Sequence, residues 1–172
     1  LPDRTGSSPY FTFTYTVLIP VLVFLPVFIS GSLVVDSITE EIDEGTLELL
    51  RVAPVTLGEI VDGKALAAVA IAPGQALLWL LLLRANGTPV ANVPSILALM
   101  TALTTLVVAL AVAISALAPD RRAAQFLYSI GVLVLFGGAT AMAGGPANAV
   151  ARLAIDSADA TTTALVVAYA AI

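Results

Sequence analysis

The sequence predicts an all-α integral membrane protein, a polytopic helical bundle of four full transmembrane helices plus part of a fifth. Three observations carry that expectation. The 172 residues are 59% hydrophobic and 11% charged, with a mean hydropathy of +1.03, whereas soluble domains run at about 45–50% apolar and about 25% charged. A soluble core of this length cannot absorb the excess without exposing large apolar patches. Apolar runs approaching or exceeding the roughly 20 residues that cross a bilayer recur along the chain. Charge, by contrast, is gathered: ten of the nineteen charged residues lie in one island, Asp36, Glu40, Glu41, Asp43, Glu44, Glu48, Arg51, Glu59, Asp62 and Lys64.

Residues 1–9 begin without Met and read as the outer-side tail of an N-terminal region upstream, with 10–172 as the transmembrane domain. Residues 10–35 form the first span. It carries Pro20 and Pro26, which membrane helices tolerate with a kink because neighbours re-satisfy the freed carbonyls. Its start puts Tyr10, Phe11, Phe13 and Tyr15 where an aromatic belt would lie, although simple packing accounts equally well for each ring. The charged region 36–64 follows, then a second span over 65–83 and a polar turn at 84–92. Pro94 falls in the first turn of the third span, 93–118, where a missing N–H costs nothing. A tight hydrophilic turn at 119–122 leads into a fourth span over 123–143. Residues 144–160 make a longer polar connection, and 161–172 begin another apolar helix. Twelve helical residues cover about 18 Å against a hydrocarbon core of roughly 30 Å, so the chain reads as a portion of a larger membrane subunit.

Because the loops alternate, 36–64 and 119–122 share one side. That side holds Arg51, Lys64, Arg121 and Arg122, against Arg4, Arg84 and Arg152 on the other. The adjacent pair in the very short loop favours the first side as cytoplasmic. Asn86-Gly87-Thr88 is a glycosylation sequon, which requires an outward-facing loop and agrees.

The island has internal order. Ser37-Ile38-Thr39-Glu40 and Thr56-Leu57-Gly58-Glu59 both fit the capping-box pattern, the second being better placed to start a helix. The first span is expected to run on past the membrane as a polar helix and break at Gly45. Thr46 then caps a short helix, residues 47–52, and Pro54 ends it by biasing Ala53 toward extended geometry. Leu47, Leu50 and Val52 gather on one face of it, with Glu48 and Arg51 on another. A helix of under two turns is not stable alone, so it makes sense docked against something. A solvated loop kept wet by its acids is the simpler account, but the sequence of break, amphipathic turn, proline and capping box favours docking.

The stretch EEIDEGTLELLRVAPVTLGEIVDGK, residues 40–64, resembles the signature of type-2 ABC exporter permeases. In those proteins an acidic stretch leads into G-T-L-E-x-L, a P-V-T or P-V-S turn, and then E-I and G-K at the next helix. The resemblance implies a transmembrane permease subunit working as a dimer with a second permease copy or homologue and with separate ATPase subunits that bind ATP and Mg. It implies a coupling region in which Gly45, Thr46, Leu47, Glu48, Leu49 and Leu50 form the docked helix. Glu40, Glu41 and Glu44 line the approach, and Pro54, Val55, Glu59, Gly63 and Lys64 shape the return. It also implies a six-helix plan in the full subunit and, in 144–160, an outer re-entrant segment before the last span.

The apolar runs carry essentially no ionisable residue, since Lys64 and Arg84 stand at span ends where they snorkel. Gradient-driven carriers place acids or histidines near mid-membrane. With neither here, energy is expected to arrive from outside the bilayer. No G-x-x-x-x-G-K-[ST] motif occurs, so the ATPase is expected on another chain and this chain is expected to be no enzyme. The chain has no cysteine and no histidine, which removes disulfides, thiolate nucleophiles and Ser–His or Cys–His catalysis. Seven basic residues against twelve acidic, with no basic run, give no footprint for nucleic acid. One Lys beside six Arg, with much Ala, Val and Thr, points to a GC-rich or salt-loving prokaryote, so a prokaryotic cell membrane is the expected location. Gln75, Gln125, Thr101, Thr104, Thr105 and Ser115 are candidates to line a pathway, although isolated Thr and Ser more often bond within or between helices. A non-transporting scaffold whose island binds another cytoplasmic protein, and a gradient-driven carrier, remain the alternatives.

Overall fold

The computed structural model describes residues 9–43, 45, 56–142, 144–157 and 160–170. Among these residues six helices occur: α1 (Pro9–Asp43), α2 (Leu57–Ala85), α3 (Val93–Leu117), α4 (Arg121–Ala141), α5 (Pro146–Ala154) and α6 (Ala160–Ala170). No strand occurs among the described residues. Glu44 and residues 46–55, where the short docking helix is expected, lie outside them.

Among the described residues three stretches are long and apolar enough to cross a membrane: α1, Gly58–Ala85 of α2, and α3. The fourth expected span is α4. Its 21 residues reach about 30 Å at 1.5 Å per residue, but Gln125, Tyr128, Ser129 and three glycines dilute its hydropathy. Large apolar side chains face outward all round, among them Leu66, Leu78, Leu133 and Val134, which suits lipid rather than water.

α1 is the central helix, packed on α2 and α3 along most of its length and on α4 and α5 more lightly. It is continuous because a local device absorbs Pro20. Pro20 has no N–H, and its ring crowds the carbonyl four residues back. The turn just ahead, Thr14–Leu18, widens to a π-turn closed by the Ile19 N–H on the Thr14 carbonyl. Helix then continues through Pro26 to Asp43, eight residues past the apolar run, and the expected break follows with Gly45 at φ +66°. Glycine takes that angle without a Cβ penalty. Ile19, Val23 and Val27 of α1 meet Leu80 of α2 and Ile96, Leu99 and Met100 of α3 in the fully buried core.

Two expectations for α1 need correction. Tyr10, Phe11 and Phe13 are exposed as a belt requires, but Tyr15 is only 5% exposed. It turns inward because its hydroxyl donates to the Pro89 carbonyl at 2.5 Å, tying the start of α1 to the α2–α3 loop. The Ser37-x-x-Glu40 pattern caps nothing, because helix runs through it, and the Thr39 hydroxyl instead donates back to the Val35 carbonyl at 2.7 Å. The other capping box forms. Thr56 Oγ1 accepts the Glu59 N–H at 3.3 Å, and Glu59 accepts the Thr56 N–H at 2.7 Å.

At the end of the bundle where α1 starts, the connections are stitched together. The Ala91 N–H donates to the Ala154 carbonyl at 2.9 Å. Asn92 Nδ2 donates to the Leu153 carbonyl at 3.2 Å and to Asp156 Oδ1 at 2.8 Å. Asn92 and Asp156 sit at φ 49° and 58°, a region that short polar side chains enter more readily than others. These bonds seat α5, the short helix within the expected 144–160 segment, through its buried Ala147, Val150 and Leu153.

Candidate functional site

The charged residues converge at the opposite end of the bundle, where α1 ends and α2 and α4 begin. On α1, residues four apart share a face. Asp36 and Glu40 form one such pair, and Ser37 and Glu41 the next. The first pair meets α4: Arg121 Nη2 lies 3.3 Å from Asp36 Oδ1 and 3.7 Å from Glu40 Oε2. Gln125, one turn along α4, donates its side-chain N–H to the same Asp36 oxygen in a very short bond. The second pair meets α2: Lys64 Nζ lies 2.5 Å from Glu41 Oε1 and donates to the Ser37 carbonyl at 3.0 Å.

These charges are placed against their own helices. Acids at a helix C-terminus and cations in a first turn each oppose the macrodipole, by about 0.3–1 kcal/mol. Glu40, Glu41 and Asp43 stand in the last turn of α1, and Arg121 in the first turn of α4. Asp120 offsets part of that at α4 by accepting the Ala123 N–H at 2.7 Å as N-cap. The remaining mismatch is resolved only across helices, acid to cation. Side chains here are between about a quarter and a half exposed, so each pair contributes roughly 0.2–1 kcal/mol. What the cluster supplies is register. It ties the C-terminal end of α1 to the N-terminal ends of α2 and α4.

Of the coupling residues expected from sequence, Glu41 and Lys64 are brought together, and Glu40 pairs separately with Arg121 of α4. Glu59 is exposed and caps α2, outside the apolar part of the helix. The Thr56 backbone N–H, and then its hydroxyl, hold the Glu59 carboxyl below its ordinary range. Gly45 and Gly63 are exposed, with no atom near an added Cβ. Glu44, Thr46, Leu47, Glu48, Leu49, Leu50, Pro54 and Val55 lie outside the described residues.

Asp36, Arg121 and Gln125 were not identifiable as one unit from sequence. Asp36 counted only toward the island, Arg121 only toward sidedness, and Gln125 as a pathway candidate. The available signal was the wrong-signed charge at both helix ends. The other polar candidates behave structurally: Thr101, Thr104, Thr105 and Ser115 each donate to the carbonyl four residues back, at 2.7 to 2.9 Å. No group of His, Cys, Asp and Glu fit to hold a metal ion occurs among the described residues.

Away from the charged end lies a cleft of about 370 Å³. Phe24 and Phe28 of α1, Leu106 and Val107 of α3, and Val134 and Leu135 of α4 line it. Its walls are apolar, and Leu106 and Val134 are also on the outer surface.

No curated protein and no solved structure matches the chain. The sequence does match, over residues 2–158, the family model described as ABC-2 family transporter protein. That match takes in both charged helix ends and the segment between them, so the chain belongs to the ABC-2 transporter family as a type-2 ABC transporter permease.

Proposed function

We propose that this multi-pass permease is the membrane half of an ATP-driven exporter, and that residues 44–55 receive the force. The family generally works with an ABC ATPase. In this reading Thr46, Leu47, Glu48, Leu49 and Leu50 seat in a groove of a separate ATPase that binds ATP and Mg, and Glu44, Pro54 and Val55 shape the approach and return. The region 36–64 and the turn 119–122 are then cytoplasmic in a prokaryotic cell membrane, and 84–92 and 144–160 face outward. A second permease copy or homologue completes the pathway, against the outward apolar side chains of α2.

The observation that carries this is the locked frame around the segment. α1 reaches Asp43 as unbroken helix, α2 starts under a full capping box at Thr56, and ion pairs join α1 to α2 and, separately, α1 to α4. A loop that only needed to stay wet has no use for such a frame, whereas a segment that is pushed does. The test is to purify the full subunit with the ATPase chain that accompanies it and measure ATP hydrolysis. Leu47→Asp with Leu50→Asp should abolish permease-stimulated hydrolysis while leaving the subunit inserted. Unchanged stimulation overturns the docking role, and a stoichiometric partner without ATPase activity would favour the scaffold alternative.

A further inference from the structure

We propose that α4 is a lever that carries movement from the charged end to the apolar cleft, pivoting where Tyr128 crosses Gly31. Three observations on one helix assemble it. At its first turn, Arg121 and Gln125 both hold Asp36 of α1. In its middle, the Tyr128 hydroxyl donates to the Phe28 carbonyl at 2.6 Å and lies against Gly31 so closely that an added Cβ would overlap it. Beyond that point, Val134, Leu135 and Gly138 form one wall of the cleft.

The packing is polarised in the way a lever needs. The described buried hydrophobic residues of α4 are Ala124 and Tyr128, both at or before the crossing point. Past it, Val132 packs on the core from a half-buried position, and Phe136 meets Phe28 of α1 edge to face with centroids 5.8 Å apart. Such a contact is worth about 0.5–1.5 kcal/mol and gives way easily. From Arg121 to Tyr128 is about 10 Å along the helix and from Tyr128 to Gly138 about 15 Å. Displacement at the clasp therefore returns about 1.5 times larger, and in the opposite sense, at the cleft wall. Asp36 is a positioning residue: it sets the resting angle of α4. That the push on the clasp comes from residues 44–55 rests on the proposed function; the lever itself does not.

The absence of cysteine makes the test clean. Spin labels are placed on the full chain in lipid bilayers at Leu106→Cys and Val134→Cys, one on each side of the cleft. Their distance distribution is read by electron paramagnetic resonance. A control pair, Leu25→Cys and Leu110→Cys, reports α1 against α3. Asp36→Leu is expected to shift the cleft distribution and leave the control unchanged, and Asp36→Glu to restore the parent distribution. An unmoved cleft pair in Asp36→Leu overturns the lever, and so does a control pair that moves with it, because that is general loosening. No ATPase takes part, so failure here leaves the docking reading standing, and failure of docking leaves the lever standing.

Discussion

Replacing Gly31 with Ala perturbs a close helix crossing, where an added Cβ meets Tyr128 and Val107. A Cβ built at residue 31 overlaps the Tyr128 hydroxyl and stands 2.8 Å from both Tyr128 Cζ and Val107 Cγ1. Neither neighbour swings away freely, since Tyr128 is 5% and Val107 5% exposed. Overpacking of this kind costs about 1–3 kcal/mol. Pushing the ring aside also breaks its hydrogen bond to the Phe28 carbonyl, worth about 0.6 kcal/mol on average between membrane helices and at most about 1.7. The total is about 2–4 kcal/mol. Tyr128→Phe alone forfeits only the bond. In the double variant the nearest overlap is gone while the Cζ and Val107 contacts remain, so the cost falls short of the sum by about 1 kcal/mol. Reversible unfolding in mixed micelles, followed by helical circular dichroism, reads all three. A Gly31→Ala cost within about 0.5 kcal/mol of zero, or strict additivity in the double variant, would refute the close-crossing account.

Two further outcomes follow from the loops. Thr56→Ala removes one half of the capping box and should cost about 1 kcal/mol, seen as faster amide exchange in the first turn of α2. Glu59, whose carboxyl is held below its ordinary range, contributes stability that is present above its unfolded pKa. That contribution is lost as pH falls through the lower folded value, so the same amides should lose protection in acid in the parent, and by a smaller amount in Thr56→Ala, which keeps the backbone N–H bond to Glu59. Asn92→Ala loses both bonds to the α5 region and places a Cβ-bearing residue with no local polar compensation at φ 49°. Proteolysis should then cut the 142–157 stretch sooner, with Asn92→Gly intermediate because glycine keeps the backbone angle.

The three long apolar helices were legible because lipid selects hydropathy over about 20 residues and little else does. The Thr56–Glu59 box and the break at Gly45 were legible because both are local: each concerns atoms within four residues. The same locality explains the failure at Ser37-x-x-Glu40. The pattern is identical, but α1 was already helical on arrival, and the Thr39 hydroxyl bonds backward. Tyr15 turned inward for a carbonyl 74 residues away. Asp36 is paired with partners 85 and 89 residues along the chain. Contacts at that separation are fixed by how helices cross, which no single-sequence periodicity encodes. The residues that the sequence proposes for coupling divide in the same way. Lys64 and Glu41 meet because one charged stretch folds back on itself, whereas the clasp to α4 depends on the whole bundle.

The account turns on which side of the membrane residues 46–52 occupy. One cysteine at Leu49 of this cysteine-free chain, probed with a membrane-impermeant maleimide, reads that directly. The account predicts labelling in inside-out vesicles and protection in intact cells. Labelling of Leu49→Cys in intact cells would place the segment beyond the reach of any ATPase and contradict the account.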